Sequence, residues 1–308
     1  MIAYLIKRFL QSALILLGVS LITFVLLFLL PADPATVIAG RSASPEVLQS
    51  IREQLGLDKP FFVQYLRYLQ GLLHGDLGRS YIERASVTSL ILPRLPASLL
   101  LMAAGIVCEL LIGLTLGILS ALRRNSKLDQ FFMVISFIGV STPQFVSGLL
   151  LLYVFAIQLG WFPIGGYGSF SNLVLPGITL GIMGGGWYSR MMRSSMIEVL
   201  TTDFIRTARA KGLRRKIVVF RHAVPNALLP VIAMVGIDIG LLMGSIVVVE
   251  SVFGWPGIGQ LAWQAVQRVD TPLIMGVTLF LSLAVVLGNL MADLVAPLID
   301  PRIKNEKT

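Results

Sequence analysis

Thiol and imidazole are almost missing from this 308-residue chain, in which Cys108 is the lone cysteine and His74 and His222 are the two histidines. One cysteine allows no intrachain disulfide and no cysteine-built metal cluster, and Cys108, inside an apolar run, reads as a small buried residue. Neither histidine has a carboxylate or cysteine cluster near it in sequence, so no metal site is expected. Both lie in loops, which leaves an intramembrane hydrolase without its base. Charge is scarce as well, at 13% of residues against 56% apolar ones, and that balance points to lipid as the solvent. No Gly-x-x-x-x-Gly-Lys-Ser/Thr run occurs, so no loop of this chain cradles ATP phosphates. The chain is thus expected to be no enzyme, with no catalytic residue and no cofactor of its own.

What the sequence has instead is long apolar runs, at 9–30, 97–121, 131–159, 173–192, 228–249 and 273–296. Each matches the ~20 residues a helix needs to cross a ~30 Å hydrocarbon core. Backbone groups in lipid must pair within the segment, which makes these runs helices and not alternating barrel strands. An all-α polytopic membrane protein of about six transmembrane helices follows. The first run comes after Lys7 and Arg8 like a signal peptide. It is longer than a signal core, however, and Pro31-Ala32-Asp33-Pro34 is a poor cleavage site, so a retained first helix is expected.

The net charge of +9 would suit nucleic acid in a soluble protein, but here it marks topology. Lys7 and Arg8, then Arg123, Arg124 and Lys127, then the seven basic residues from Arg206 to Arg221, then Arg302, Lys304 and Lys307 all fall on one side if six helices alternate. The short connections on the other side, 158–172 and 251–272, hold only Arg268, and the long first one, 31–96, has seven basic residues nearly cancelled by six acids and is too long to report topology, so both termini are expected in the cytoplasm. No nucleic-acid partner is expected. The long outer segment 31–96 carries folding signals of its own: Ser44-Pro45-Glu46 begins a helix that Gly56 can end, and Phe61, Phe62, Tyr65, Leu66, Leu69 and Leu73 recur at helical spacing in a second. A helical hairpin on the outer membrane face is expected, either packed on the helix ends or open to a partner. The division is then 1–30 as first helix, 31–96 as extracytoplasmic insert, 97–302 as a five-helix core and 303–308 as cytoplasmic tail.

Within the core, the stretch from Asp203 to Lys216 is too polar to span. Asp203 at one end and Arg214 to Lys216 at the other suit the dipole of a short helix, and Gly212 allows a turn. Composition leaves two readings open: a lever for a soluble partner, or a basic loop that fixes topology. Small residues at every fourth position, Gly113 and Gly117, then Gly177, Gly181 and Gly185, then Gly236, Gly240 and Gly244, permit close helix approach. Gly184-Gly185-Gly186 would cost a helix ~1 kcal/mol per residue against alanine and points to a hinge or a bulky neighbour. Pro143 should kink the third span. Glu109, Asp238, Glu250 and Asp293 lie in or at the ends of spans, where ionisable groups mark a pathway or a partner. Asp238, deepest in its span, is the foremost pathway candidate, followed by Glu250, Glu109 and Pro143.

The segment 203–221 resembles the coupling loop of binding-protein-dependent ABC importer permeases, in which a glycine follows the first motif position by six residues and a proline follows that glycine by thirteen. Gly212 and Pro225 keep this spacing from Arg206. Arg206-Thr207-Ala208 departs from the usual Glu-Ala-Ala, yet Phe204-Ile205-Arg206-Thr207-Ala208-Arg209-Ala210-Lys211-Gly212, with Leu213 after it, resembles the variant of the dipeptide, oligopeptide and nickel permease subfamily. Leu30-Pro31-Ala32-Asp33-Pro34, Gly75-Asp76-Leu77-Gly78, the run Glu250 to Gly259 and Ile299-Asp300-Pro301-Arg302 are similar to that subfamily too. The resemblance implies a type I importer permease fold in the bacterial inner membrane and import of di- or oligopeptides. It implies as partners a homologous second permease, two ATP-binding cassette subunits using ATP and Mg, and an extracytoplasmic solute-binding protein. Nickel chelates or glutathione are alternative cargoes. An ion-driven secondary transporter is the rival mechanism, but it would show internal repeats and leave 203–216 without a purpose.

Overall fold

The computed structural model describes residues 2–299 except 30–32 and 41–42. The first half of the Leu-Pro-Ala-Asp-Pro motif, the side chain of Asp293, and Asp300-Pro301-Arg302 with the tail lie outside the described residues. The described residues form fifteen α-helices in turn: α1 (Ile2–Leu29), α2 (Pro34–Ala39), α3 (Pro45–Leu55), α4 (Phe61–Leu73), α5 (Val87–Ile91), α6 (Leu95–Leu122), α7 (Lys127–Ser141), α8 (Gln144–Leu151), α9 (Phe170–Leu200), α10 (Asp203–Ala210), α11 (Arg215–Ile217), α12 (Val224–Ala227), α13 (Leu229–Val252), α14 (Ile258–Gln267) and α15 (Thr271–Ile299). Among the described residues extended pairing is limited to the Arg79–Ser86 bridge. The all-α expectation holds.

Among the described residues four helical stretches, Arg8–Leu29, Val87–Leu122, Arg215–Gly236 and Thr271–Leu290, are long and apolar enough to cross a membrane. The pair α7 and α8 makes a fifth if counted as one span, although it is bent by 106° at Thr142-Pro143. Proline lacks the N–H that would continue the ladder, and here it ends α7 and opens α8, a full break where the sequence predicts a kink. The remaining expected run, the fourth at 173–192, falls in α9, whose 31 residues are long enough to span but include Arg190, Arg193 and many glycines and serines, so it is less apolar than the rest.

The chain divides into two compact units, one of residues 1–98 with 256–286, the other of 99–255 with 287–308. In the first, the expected caps are made. The Ser44 hydroxyl accepts from Val47 N, Pro45 takes the first turn, and Gly56 at φ +68° ends α3. Asp33 caps α2 by accepting from Ala35 N at 3.0 Å, and Arg52 holds the same carboxylate at 2.5 Å. α4 lies on α1 through an aromatic cluster, with Phe24 5.3 Å from both Phe61 and Tyr65, and Ser20 bonds Tyr65 at 2.9 Å. The hairpin therefore packs on a helix end, while Phe62, Leu66 and Leu73 on its other side stay exposed. A second core joins Val87 and Ile91 to Ile258, Leu261, Leu273 and Val277. Beside it the buried Asp270 accepts from the Ser80 hydroxyl and from Tyr81 N at 3.2 Å. Burial, and then this carboxylate, raise the Tyr81 phenol above its ordinary pKa.

The second unit is built on α9. Gly177 and Gly181 let α6 approach through Ala104 and Cys108, and on α6 Gly113 and Gly117 admit Tyr188, Ser189 and Met192 in return. The glycine triplet is explained by bulky neighbours on three sides. A Cβ at Gly184 would strike Glu109, at Gly185 Ile112, and at Gly186 the Ser136 carbonyl of α7. Gly244 differs, since a Cβ there would meet nothing within 4 Å.

Candidate functional site

α10 is short, but its sequence gives it two unlike faces. Ile205 and Ala208, three apart, are buried with Met192, Met196, Val218 and Val219 in the core of the second unit. Phe204, Arg206, Thr207, Arg209, Ala210, Lys211 and Leu213 are exposed. Asp203 lies in the first turn and Arg209 in the last, each favourable to the helix dipole. Gly212 then takes φ +74°, a left-handed conformation that costs a side chain ~1 kcal/mol or more even though the space around it is open. Its N–H closes the turn on Arg209 O at 3.0 Å, and Leu213 N reaches Ala208 O at 3.4 Å. The chain reverses and re-enters helix at Arg215, which donates to Leu122 O at 3.3 Å. Arg209, Leu213 and Arg215 line a groove of about 480 Å³ floored by Ala121, Leu200, Val218 and Val219. Pro225 lies inside the helical stretch Arg215–Gly236, directly after the π-helical turns of 218–223, where the missing N–H of proline interrupts the regular ladder.

Deeper in the same unit, two of the predicted acids meet. Glu109 of α6, 1% exposed, lies against Gly184 and faces Asp238 of α13, whose Oδ2 accepts from the Tyr188 hydroxyl of α9 at 3.0 Å. Glu109 Oε2 is buried without a hydrogen-bond partner. Three helices thus bring oxygens to one place, a set that can accept hydrogen bonds from a cationic group. Glu250 is elsewhere: its side chain is fully buried and its carbonyl accepts from Trp255 N at 2.9 Å in the turn after α13. Pro143 marks the break between α7 and α8.

Sequence reasoning passed over two arginines. Arg193 of α9 grips the buried Asp129 of α7 with both Nε and Nη2, at 2.8 and 2.7 Å, and the Ser120 hydroxyl donates to the same carboxylate. Arg190 lies with its guanidinium 4.4 Å over the Trp187 ring. The expected fourth span, 173–192, contained Arg190 and stopped one residue short of Arg193, and only its acids and those of other spans were weighed as functional groups. The signal was present in two arginines three residues apart at the end of an apolar run, one of them three residues after a tryptophan.

The N-terminal and C-terminal family models of this architecture both match. Residues 1–102 match the N-terminal part of the binding-protein-dependent transport system membrane component, and residues 113–305 match the binding-protein-dependent transport system inner membrane component. The chain belongs to that family. It is 43% identical over 318 residues to a protein of Brucella suis biovar 1 named as a peptide permease, covering 99% of each chain. It is 40% identical over 319 residues to the oligopeptide transport system permease AppB of Bacillus subtilis, covering 99% of this chain and all of that one. The glutathione transport system permease GsiC of Salmonella paratyphi A is 40% identical over 304 residues, with 99% of each covered. Among solved structures, the inward-facing MetNI methionine ABC transporter superposes with a TM-score of 0.56 at 21% identity, over 66% of this chain and 93% of that one, which shows a shared fold. A permease subunit of the type I fold, working in transport and located in the inner membrane, is the result.

Proposed function

We propose that the chain forms half of the translocation pathway of an ABC importer for peptides, with a homologous permease as the other half. Its named relatives carry peptides, oligopeptides or glutathione, which supports a small peptide-like cargo. None of these three relatives is named for nickel. In this reading 97–302 is the permease core and 31–96 the extracytoplasmic insert. Both termini are cytoplasmic and lipid surrounds the spans. An extracytoplasmic solute-binding protein delivers the cargo. Glu109, Asp238, Glu250 and Pro143 border the route. Two cytoplasmic ATP-binding cassette subunits, which use ATP and Mg, supply the energy, and no nucleic acid takes part.

The observation that carries this reading is α10, with Ile205 and Ala208 fused to the bundle core and the residues around them exposed. A partner that grips the exposed face moves the bundle as a rigid body between two packings. An ion-driven transporter has no use for such a handle. Gly212→Val, strained at φ +74°, should leave membrane insertion intact while peptide uptake by the assembled transporter falls at least about tenfold and ATP hydrolysis ceases to respond to substrate. Normal uptake by this variant would remove α10 as the coupling element, and absence of a co-purifying ATPase would remove the importer reading itself.

A further inference from the structure

The two arginines of α9 use the same edge differently. Arg193 turns its Nε and Nη2 onto both oxygens of Asp129, a carboxylate held by two parallel hydrogen bonds. Three residues earlier, Nε and Nη2 of Arg190 are also buried, yet neither has a hydrogen-bond partner. No carboxylate pairs with Arg190 among the described residues; what holds it is the face of Trp187. At 100° per residue, Trp187, Arg190 and Ser194 share one stripe of the helix, which borders Gly186 on the α7 side and lies away from Gly181 and Gly185, which receive α6. Trp187 and Ser194 on that stripe are exposed. A guanidinium edge shut off from water without an acceptor is costly, and a cation in a spanning helix more so, which makes it a functional group by default.

The geometry points to a carboxylate subsite: Arg190, held flat by Trp187, takes the C-terminal carboxylate of a peptide moving along the route. Arg193 with Asp129 supplies the pattern for the contact, in the same helix and with the same two nitrogens. The tryptophan ring fixes the fork and offers a flat apolar surface to the residue next to the carboxylate. This assignment rests on the peptide-import reading.

The test uses the complete transporter in proteoliposomes, with its second permease, ATPases and binding protein, and follows ATP-driven uptake of one labelled tripeptide as the free acid and as the C-terminal amide. Arg190→Gln should slow uptake of the acid about tenfold while leaving the amide nearly unchanged, so that the acid-to-amide ratio falls by the same factor. Arg190→Lys keeps the charge but not the fork and should lower the ratio about threefold. Equal slowing of both peptides in either variant overturns the subsite. So does a complex that sheds its second permease on Arg190→Gln, which would place the missing carboxylate on that subunit. Should the wild type import neither peptide, the peptide reading falls first and this subsite with it.

Discussion

The two sides of α9 show what a membrane helix gives to structure and what it keeps for work. One side is cut down to glycine so that α6 and α7 can touch its backbone, and there both basic and hydroxyl groups are matched, Arg193 with Asp129 and Ser136 with Ser189 at 2.9 Å, while Glu109 beside Gly184 keeps one oxygen unmatched. The other side carries Trp187 and Arg190, large and charged, with two nitrogens unmatched. Small residues and satisfied polar groups are how helices associate in lipid, where apolar surface alone gives no preference for protein over acyl chain. An unsatisfied cation serves no such purpose.

The sharpest way to break this contrast is Arg193→Ala. It leaves the Asp129 carboxylate, 4% exposed, buried without its partner and should cost about 3–5 kcal/mol. Thermal unfolding of the detergent-purified transporter would show it as a fall in Tm, and an equal fall for Arg190→Ala would erase the distinction between the two arginines. Next comes Gly186→Leu, which drives a side chain into the Ser136 carbonyl and Val140 and should cost about 1–3 kcal/mol, whereas Gly244→Ala, in open space, should be neutral or slightly stabilising. The same melting assay reads both. Tyr188→Phe removes the 3.0 Å bond to Asp238 for about 1 kcal/mol and is best measured as a change in uptake at fixed expression. Smallest among the destabilising changes should be Trp187→Ala, about 0.5–1 kcal/mol, because the ring is half exposed and contributes mainly its contact with Arg190.

Local chemistry was legible in the residues, and long-range geometry was not. Ser44, Pro45 and Gly56 bound α3 as their types require, and Asp203 with Gly212 bound α10, because caps and turns act within a few residues. The same sequence reading saw that Gly184-Gly185-Gly186 needed a reason but not which one. Glu109, Ile112 and the Ser136 carbonyl lie more than forty residues away in sequence, so only tertiary structure could choose crowding over a hinge. The meeting of Glu109 with Asp238 was hidden for the same cause, though each acid had been singled out for its position in a span. Pro143 announced a disturbance, but a bend of 106° depends on what the two halves pack against. Arg190 and Arg193 were missed for a simpler reason, since hydropathy draws attention to where a span is greasy and away from the polar residues at its margin.

The break at Thr142-Pro143 has an electrical consequence. An unbroken spanning helix keeps its two partial charges far apart, at opposite membrane surfaces. Divided in the middle, α7 and α8 bring a carbonyl-rich end and an amide-rich end to one junction. Thr142 N satisfies Ile138 O and Val146 N satisfies Pro143 O, but end groups outnumber such local partners. The junction therefore calls for water or polar company inside an otherwise oily run, and a moistened point of this kind is where a hydrated solute meets the least resistance.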